Sequence, residues 1–157
     1  MGLKYENALT PFYLVSNCQK YSLALGMYKL NLNQRIDYYF PTLNKSVGAI
    51  TIKQLLNHSS GIADYENLMG DKWTVQLTDA DVLKIIEPVK ETYFPFGSKF
   101  RYSNSAYCLL SLIVEQVSKQ SYPYYMQQHV FEQLGMKNTI NKSKERLTNH
   151  RDYGYQH

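Results

Sequence analysis

Apolar residues recur along this chain at spacings of three and four over several stretches, the period of a helix with one buried face. The first is Tyr21, Leu23, Ala24, Leu25, Met27, Tyr28 and Leu30, a helix of about three turns that Ser16 would cap and Gly26 weakens. Before it, Pro11 blocks helix and the alternating run over residues 10–15 reads as extended. Asn31 to Pro41 is a connector with a short helical turn. Thr51 caps a helix through Asn57, with Ile52, Leu55 and Leu56 on one face. The run His58-Ser59-Ser60-Gly61 is a loop. Thr78 with Asp81 forms a capping pattern before Val82, Leu83, Ile85 and Ile86, and Pro88 ends that helix. Residues 93–101 hold Pro95 and Gly97 and form a turn-rich loop. The strongest helix starts near Asn104 and runs through Leu109, Leu110, Leu112, Ile113 and Val117. A last one begins after Ser121, with Pro123 in its first turn, and stops at Gly135. Five helices, little strand and a polar tail give a mostly α fold.

Composition narrows this picture by exclusion. The chain has 157 residues, 44% of them hydrophobic and 19% charged, which suits one packed domain or a piece of one. Its net charge of +4 is scattered. The densest basic stretch, Lys142, Lys144, Arg146 and Arg151, is interrupted by Glu145 and Asp152, so no stripe for nucleic acid or a membrane surface forms. Cys18 and Cys108 make neither a disulfide framework nor a metal site, and no zinc-ligand spacing occurs. The opening residues do not read as a signal peptide, and no apolar stretch has membrane-spanning length. Fifteen tyrosines are read as compositional bias.

Four segments, in order, resemble the serine β-lactamase and penicillin-binding-protein superfamily, in its class C and esterase-like branch. Thr10-Pro11-Phe12-Tyr13-Leu14-Val15-Ser16 is similar to the approach to that family's nucleophile. Ile50 to Ile62, ending in His58-Ser59-Ser60-Gly61-Ile62, closely resembles that family's segment ITIRHLLTHTSGL. Phe94 to Ser105 resembles the approach to its Tyr-x-Asn motif, and Phe131 to Thr139 a helix end. Tyr-x-Asn occurs three times, at Tyr5, Tyr65 and Tyr102. Only Tyr102-Ser103-Asn104 has the Pro-x-Gly loop before it and the apolar helix after it. The resemblance covers about residues 10–139 of one partial domain spanning 1–157, with 140–157 a polar tail.

The resemblance implies a chemistry. In that family a serine attacks a carbonyl carbon and forms an acyl-enzyme, helped by a lysine in Ser-x-x-Lys, a tyrosine that shares proton transfer and an asparagine that binds lysine or substrate amide. A later Lys-Thr-Gly or related strand adds a cation and an oxyanion-hole N–H. By position Ser16 corresponds to the nucleophile, Tyr102 to the tyrosine and Asn104 to the substrate-binding asparagine. The lysine does not correspond: Gln19 fills its slot, and no Ser-x-x-Lys occurs anywhere in the chain. Gln is no general base at neutral pH. Lys20 would approach from roughly +40° around the helix instead of about −60°, a displaced base. The interval from Ser16 to Leu30 is also shorter than the family's, and nothing after Thr139 resembles the third motif.

The expected fold is therefore the helical half of an α/β serine β-lactamase-like, transpeptidase-like fold, with most of the antiparallel sheet missing. The expected function is a truncated β-lactamase-related hydrolase, inactive in this chain, whose intact relatives act on β-lactams, D-Ala-D-Ala peptides or small esters. Two readings stand beside it: a pseudoenzyme that binds peptidoglycan-like peptides without catalysis, and a non-functional fragment of a disrupted reading frame. The family implies no cofactor and no metal. A completing chain or self-association would supply the missing sheet. Family members are often exported, while this chain shows no export signal, so its compartment stays open. His58 is read as a hydrogen-bonded loop histidine, and Cys18 and Cys108 as packed small residues that lie near the same site.

Overall fold

The structure is a computed structural model that describes residues 30–69, 77–137 and 139. The helix expected over residues 16–30, the extended run before it and the polar tail lie outside the described residues, apart from Leu30 itself. The rest is helical, with an isolated antiparallel bridge between Arg35 and Thr51 and no named strand among the described residues.

Four of the helices begin where a capping side chain satisfies a free backbone N–H group. A 3₁₀ turn, Ile36–Tyr38, supplies the short helical piece of the connector. Helix α1, Lys45–Gly48, is capped by the Asn44 side chain accepting from Ser46 N–H. Helix α2, Ile52–Leu56, opens on a full capping box. Gln54 N–H donates to the Thr51 hydroxyl at 3.3 Å and Thr51 N–H to Gln54 Oε1 at 2.9 Å. Helix α3 is Tyr65–Leu68. Helix α4, Asp79–Ile86, has the same box from Thr78 and Asp81. The two Thr78 donors hold the Asp81 carboxyl below its ordinary value. Helix α5, Asn104–Ser118, is capped by Ser103 and ends at Lys119 in the left-handed region. Helix α6, Tyr122–Met126, with Pro123 in its first turn, passes into a π turn over Gln127–Phe131.

Helix α5 is the axis of the packing. It lies against α4, α2 and α6. Leu109, Leu110 and Ile113 on α5 meet Leu55 from α2, Ile86 from α4 and Met126 from α6 in a fully buried core. Each such side chain contributes about 1.5–3 kcal/mol by leaving water. Polar ties run beside this core. The Ser111 hydroxyl sits between the Asp79 carboxylate and the Cys108 carbonyl, joining α5 to the start of α4.

Three differences from the sequence reading have physical causes. Helices α1 and α3 are each 4 residues long, too short to show a helical period in sequence. The last helix changes to π pitch at Gln127 before reaching Gly135. The bridge at Arg35 is a non-local pairing, with Ile36 N–H donating to Ile50 O at 2.9 Å and Ile52 N–H to Gln34 O at 3.1 Å.

Candidate functional site

Tyr102 and Asn104 flank the point where the 93–101 loop turns into α5. That junction is fixed from both sides. Ser103 between them accepts from Ala106 N–H at 3.2 Å and so starts the helix. On the other side the loop is stitched to the His-Ser-Ser-Gly loop by three backbone bonds: Tyr93 N–H to Gly61 O at 2.7 Å, Gly97 N–H to Ser59 O at 2.7 Å and Arg101 N–H to His58 O at 2.9 Å. Gly61 is a point of close approach between the two loops. Its φ is +64°, and a Cβ there would lie 2.7 Å from Phe94 O.

His58 is the hub beneath the motif. It is buried, with φ +58°, a left-handed conformation histidine adopts more readily than most residues. Its ring stacks on Tyr107 at 4.9 Å, lies 4.8 Å from the Tyr102 ring and meets Phe100 edge-on at 5.8 Å. Ser103 N–H donates to His58 Nδ1 at 3.4 Å. The expected hydrogen-bonded loop histidine is what the fold contains. Burial, and after it the neighbouring Tyr102, push the Tyr107 hydroxyl above its usual pKa, and that hydroxyl donates to Leu56 O at 3.1 Å.

Tyr102 is stacked at its base and open at its tip, with 64% of the residue exposed. Phe100, two residues earlier on the same side of the extended segment, is 72% exposed. Asn104 is half-buried, and its Nδ2 donates to Glu66 Oε1 on α3 at 2.7 Å. The α3 end is set by Tyr65 N–H donating to Ser105 Oγ at 2.8 Å. Arg101 completes the wall. Its guanidinium pairs with Asp64 at 3.1 Å and lies 4.1 Å over the Tyr93 ring, while Asn67 Nδ2 donates to the Tyr93 hydroxyl at 3.0 Å.

The structure thus places Tyr102 and Asn104 at one loop-to-helix junction, Tyr102 against the His58 ring and Asn104 on Glu66. Ser16, Gln19, Lys20 and Cys18 lie outside the described residues. Cys108 is a free thiol packed against the core on α5, and burial together with the Asp79 carboxylate pushes its pKa up. Among the described residues no group of three or more His, Cys, Asp or Glu converges as a metal site, and no helix is long and apolar enough to cross a membrane. Sequence reasoning did not pair Glu66 with Asn104. It sits in Tyr65-Glu66-Asn67, another Tyr-x-Asn match, and only the fold shows that this segment reaches across to Asn104.

A family model named Beta-lactamase matches residues 25–157. The chain belongs to the beta-lactamase family. Within it, the chain is 34% identical over 134 residues to Protein flp of Staphylococcus aureus strain MW2, covering 82% of this chain and 26% of that one. The chain therefore spans about a quarter of the length of this relative. Among solved structures, a penicillin-binding protein from Bacillus halodurans superposes with a TM-score of 0.66 at 27% identity, over 85% of this chain and 41% of that one. A D-amino acid amidase from Ochrobactrum anthropi, complexed with L-phenylalanine, superposes with a TM-score of 0.64 at 27% identity, over 78% of this chain and 37% of that one. The described helices are therefore the helical part of a β-lactamase and penicillin-binding-protein fold.

Proposed function

We propose that this chain is a β-lactamase-related serine hydrolase by descent that binds β-lactams or D-Ala-D-Ala-like peptides at the Tyr102–Asn104 wall without turning them over. The observation that carries the reading is the wall itself. Tyr102 and Asn104 stand at a loop-to-helix junction locked by the His58–Gly61 loop, with an open aromatic face beside them. The solved relatives named above are a penicillin-binding protein and a D-amino acid amidase, and both names point to carbonyl ligands flanked by amides.

In this reading Ser16 is the serine whose Oγ would attack the ligand carbonyl, Tyr102 the group that would pass its proton to the leaving atom, and Asn104 the residue that binds the ligand amide. Attack needs the serine proton removed as the Oγ–carbon bond forms. Gln19 stands where the family's lysine would take it, and an amide has no basic lone pair at neutral pH. Lys20 reaches the serine only from the other side of the helix, where misplacement by about 1 Å costs on the order of a hundredfold.

Intact mass after exposure to a fluorophosphonate and, separately, to benzylpenicillin tests the missing chemistry, with Ser16→Ala as control. We expect no adduct, together with saturable benzylpenicillin binding that Asn104→Ala weakens. An adduct on the wild type that the control lacks would show an activated Ser16, with Lys20 as its base. Absence of binding on a folded sample would end the site reading.

A further inference from the structure

We propose that Arg101 is a positioning residue for Tyr102: its guanidinium, held between Asp64 and the Tyr93 ring, fixes the register of the extended segment that lays the Tyr102 ring on His58. The inference rests on the reading of Tyr102 as part of the ligand-binding wall, and adds the group that holds it there.

Residues 100–103 run extended into the start of α5, where Ser103 has φ −144° and ψ 121°. In such a segment successive side chains leave on opposite sides. The contacts follow that alternation. Phe100 and Tyr102 both meet the His58 ring, at 5.8 and 4.8 Å between centroids. Arg101, between them, leaves on the other side and reaches Asp64 at 3.1 Å. The backbone keeps the same beat: Arg101 N–H donates to His58 O at 2.9 Å and Ser103 N–H to His58 Nδ1 at 3.4 Å.

Register is strongly specified where one face of an extended segment is buried. Phe100 and Tyr102 are largely exposed, so the His58 side alone holds the segment loosely. The Arg101 side supplies the missing constraint. Asp64 is buried, and Arg101 is the cation that pairs with it among the described residues. Its Oδ2 accepts from the guanidinium, and its Oδ1 has no hydrogen-bond partner among the described residues. The guanidinium also lies 4.1 Å over the Tyr93 ring. That ring is itself fixed, by Tyr93 N–H donating to Gly61 O at 2.7 Å and by its hydroxyl accepting from Asn67 Nδ2 at 3.0 Å. A slip of one residue would take the guanidinium from both partners, leave a buried carboxylate unpaired and turn Tyr102 away from His58. A planar cation fits between a carboxylate and a ring, and an ammonium fits less well.

The test uses the full chain with ring-¹³C tyrosine, as wild type, Arg101→Ala, Arg101→Lys and Asp64→Ala. The Tyr102 ring signal is assigned by its loss in Tyr102→Phe. Its position carries the ring-current shift from His58, so it reads the contact between the two rings. Circular dichroism confirms that each variant folds, and benzylpenicillin is the binding probe. We expect Arg101→Ala to move the Tyr102 signal toward its position in the urea-unfolded chain, and Arg101→Lys to move it less. Asp64→Ala should move it in the same direction, although the Asp64 bond is to Arg101 and not to Tyr102. Thr78→Ala, which loosens the start of α4, is the control and should leave the signal in place. Benzylpenicillin affinity should fall about fivefold in Arg101→Ala, within the range by which a residue without ligand contact alters a site. An unmoved Tyr102 signal in Arg101→Ala would overturn the proposal. A signal that moves there but not in Asp64→Ala would reduce the effect to adjacency in the chain and overturn it too, as would equal movement in Thr78→Ala, the mark of general loosening. If the wild type binds benzylpenicillin and Arg101→Ala binds it as tightly, the positioned ring serves no ligand and the proposal falls. If the Tyr102 signal responds as expected but the wild type does not bind benzylpenicillin, the hold of Arg101 on Tyr102 stands and the preceding functional reading fails.

Discussion

Replacing Gly61 by alanine should separate two effects that a glycine usually hides together. The first is conformational. At φ +64° any residue with a Cβ costs about 1–2 kcal/mol, offset by about 0.4–1 kcal/mol because alanine restricts the unfolded chain. The second is contact. A Cβ at Gly61 would lie 2.7 Å from the Phe94 carbonyl oxygen and 3.1 Å from a Phe94 ring carbon. The oxygen belongs to backbone and cannot swing away as a side-chain tip would. Such overpacking costs about 1–3 kcal/mol. Gly135 supplies the control, because its φ is +66° and nothing lies within 4 Å of a Cβ there. Gly135→Ala should show the conformational term alone. The difference between the two variants is then the contact term, and at roughly 2–4 °C per kcal/mol for a domain of this size it should appear as a gap of about 2–12 °C in melting temperature. Thermal unfolding by circular dichroism measures it. Equal melting temperatures for the two variants would refute the view that the two loops meet at van der Waals limit under Gly61.

Other perturbations follow from the same geometry. Arg101→Ala strips the pairing group from Asp64, a buried side chain whose Oδ1 already has no hydrogen-bond partner; urea unfolding should show a loss of about 1–3 kcal/mol. Arg101→Lys should recover only part of it, since an ammonium cannot stack on the Tyr93 ring as the guanidinium does. Thr78→Ala removes one half of the α4 capping box and should cost about 0.5–2 kcal/mol in the same assay. The raised Cys108 pKa predicts slow alkylation by iodoacetamide at about pH 8.5, where an ordinary thiol is half ionised; peptide mass mapping localises the label, and labelling as fast as a model thiol would contradict the burial. The same shift has a stability consequence of definite sign. The folded thiol keeps its proton longer than the unfolded one, so its contribution is full below the ordinary thiol pKa. It is lost as pH rises from there toward the raised folded value, and Cys108→Ala should flatten that alkaline decline.

What could be read in advance divides along a physical line. Local signals were legible. Thr51 with Gln54 and Thr78 with Asp81 announce helix starts through groups only three residues apart, and the apolar spacing of α5 fixes which face Leu109, Leu110 and Ile113 bury. The position of Tyr102 and Asn104 at a loop-to-helix junction was legible because the flanking loop and helix both carry sequence marks. The partnership of Asn104 with Glu66 was not, because the two are 38 residues apart and nothing in either segment encodes the other. The same holds for Ser103 and His58, separated by 45 residues. Helix α1 left no period because it has 4 residues. Ser16 and Lys20, which the family resemblance singles out, lie outside the described residues, and their part in the site remains a proposal.

The spans of 38 and 45 residues that join the wall's pieces have a practical consequence. A surface assembled from distant stretches of chain does not exist in the denatured ensemble, where closing loops of that length is entropically opposed. A compound that fits the wall has affinity for the native state alone. Its binding then adds RT ln(1 + [L]/Kd) to the unfolding free energy, about 2.7 kcal/mol at a hundred times Kd. Melting thus becomes a ligand screen for this protein, one that reads occupancy directly and needs no turnover.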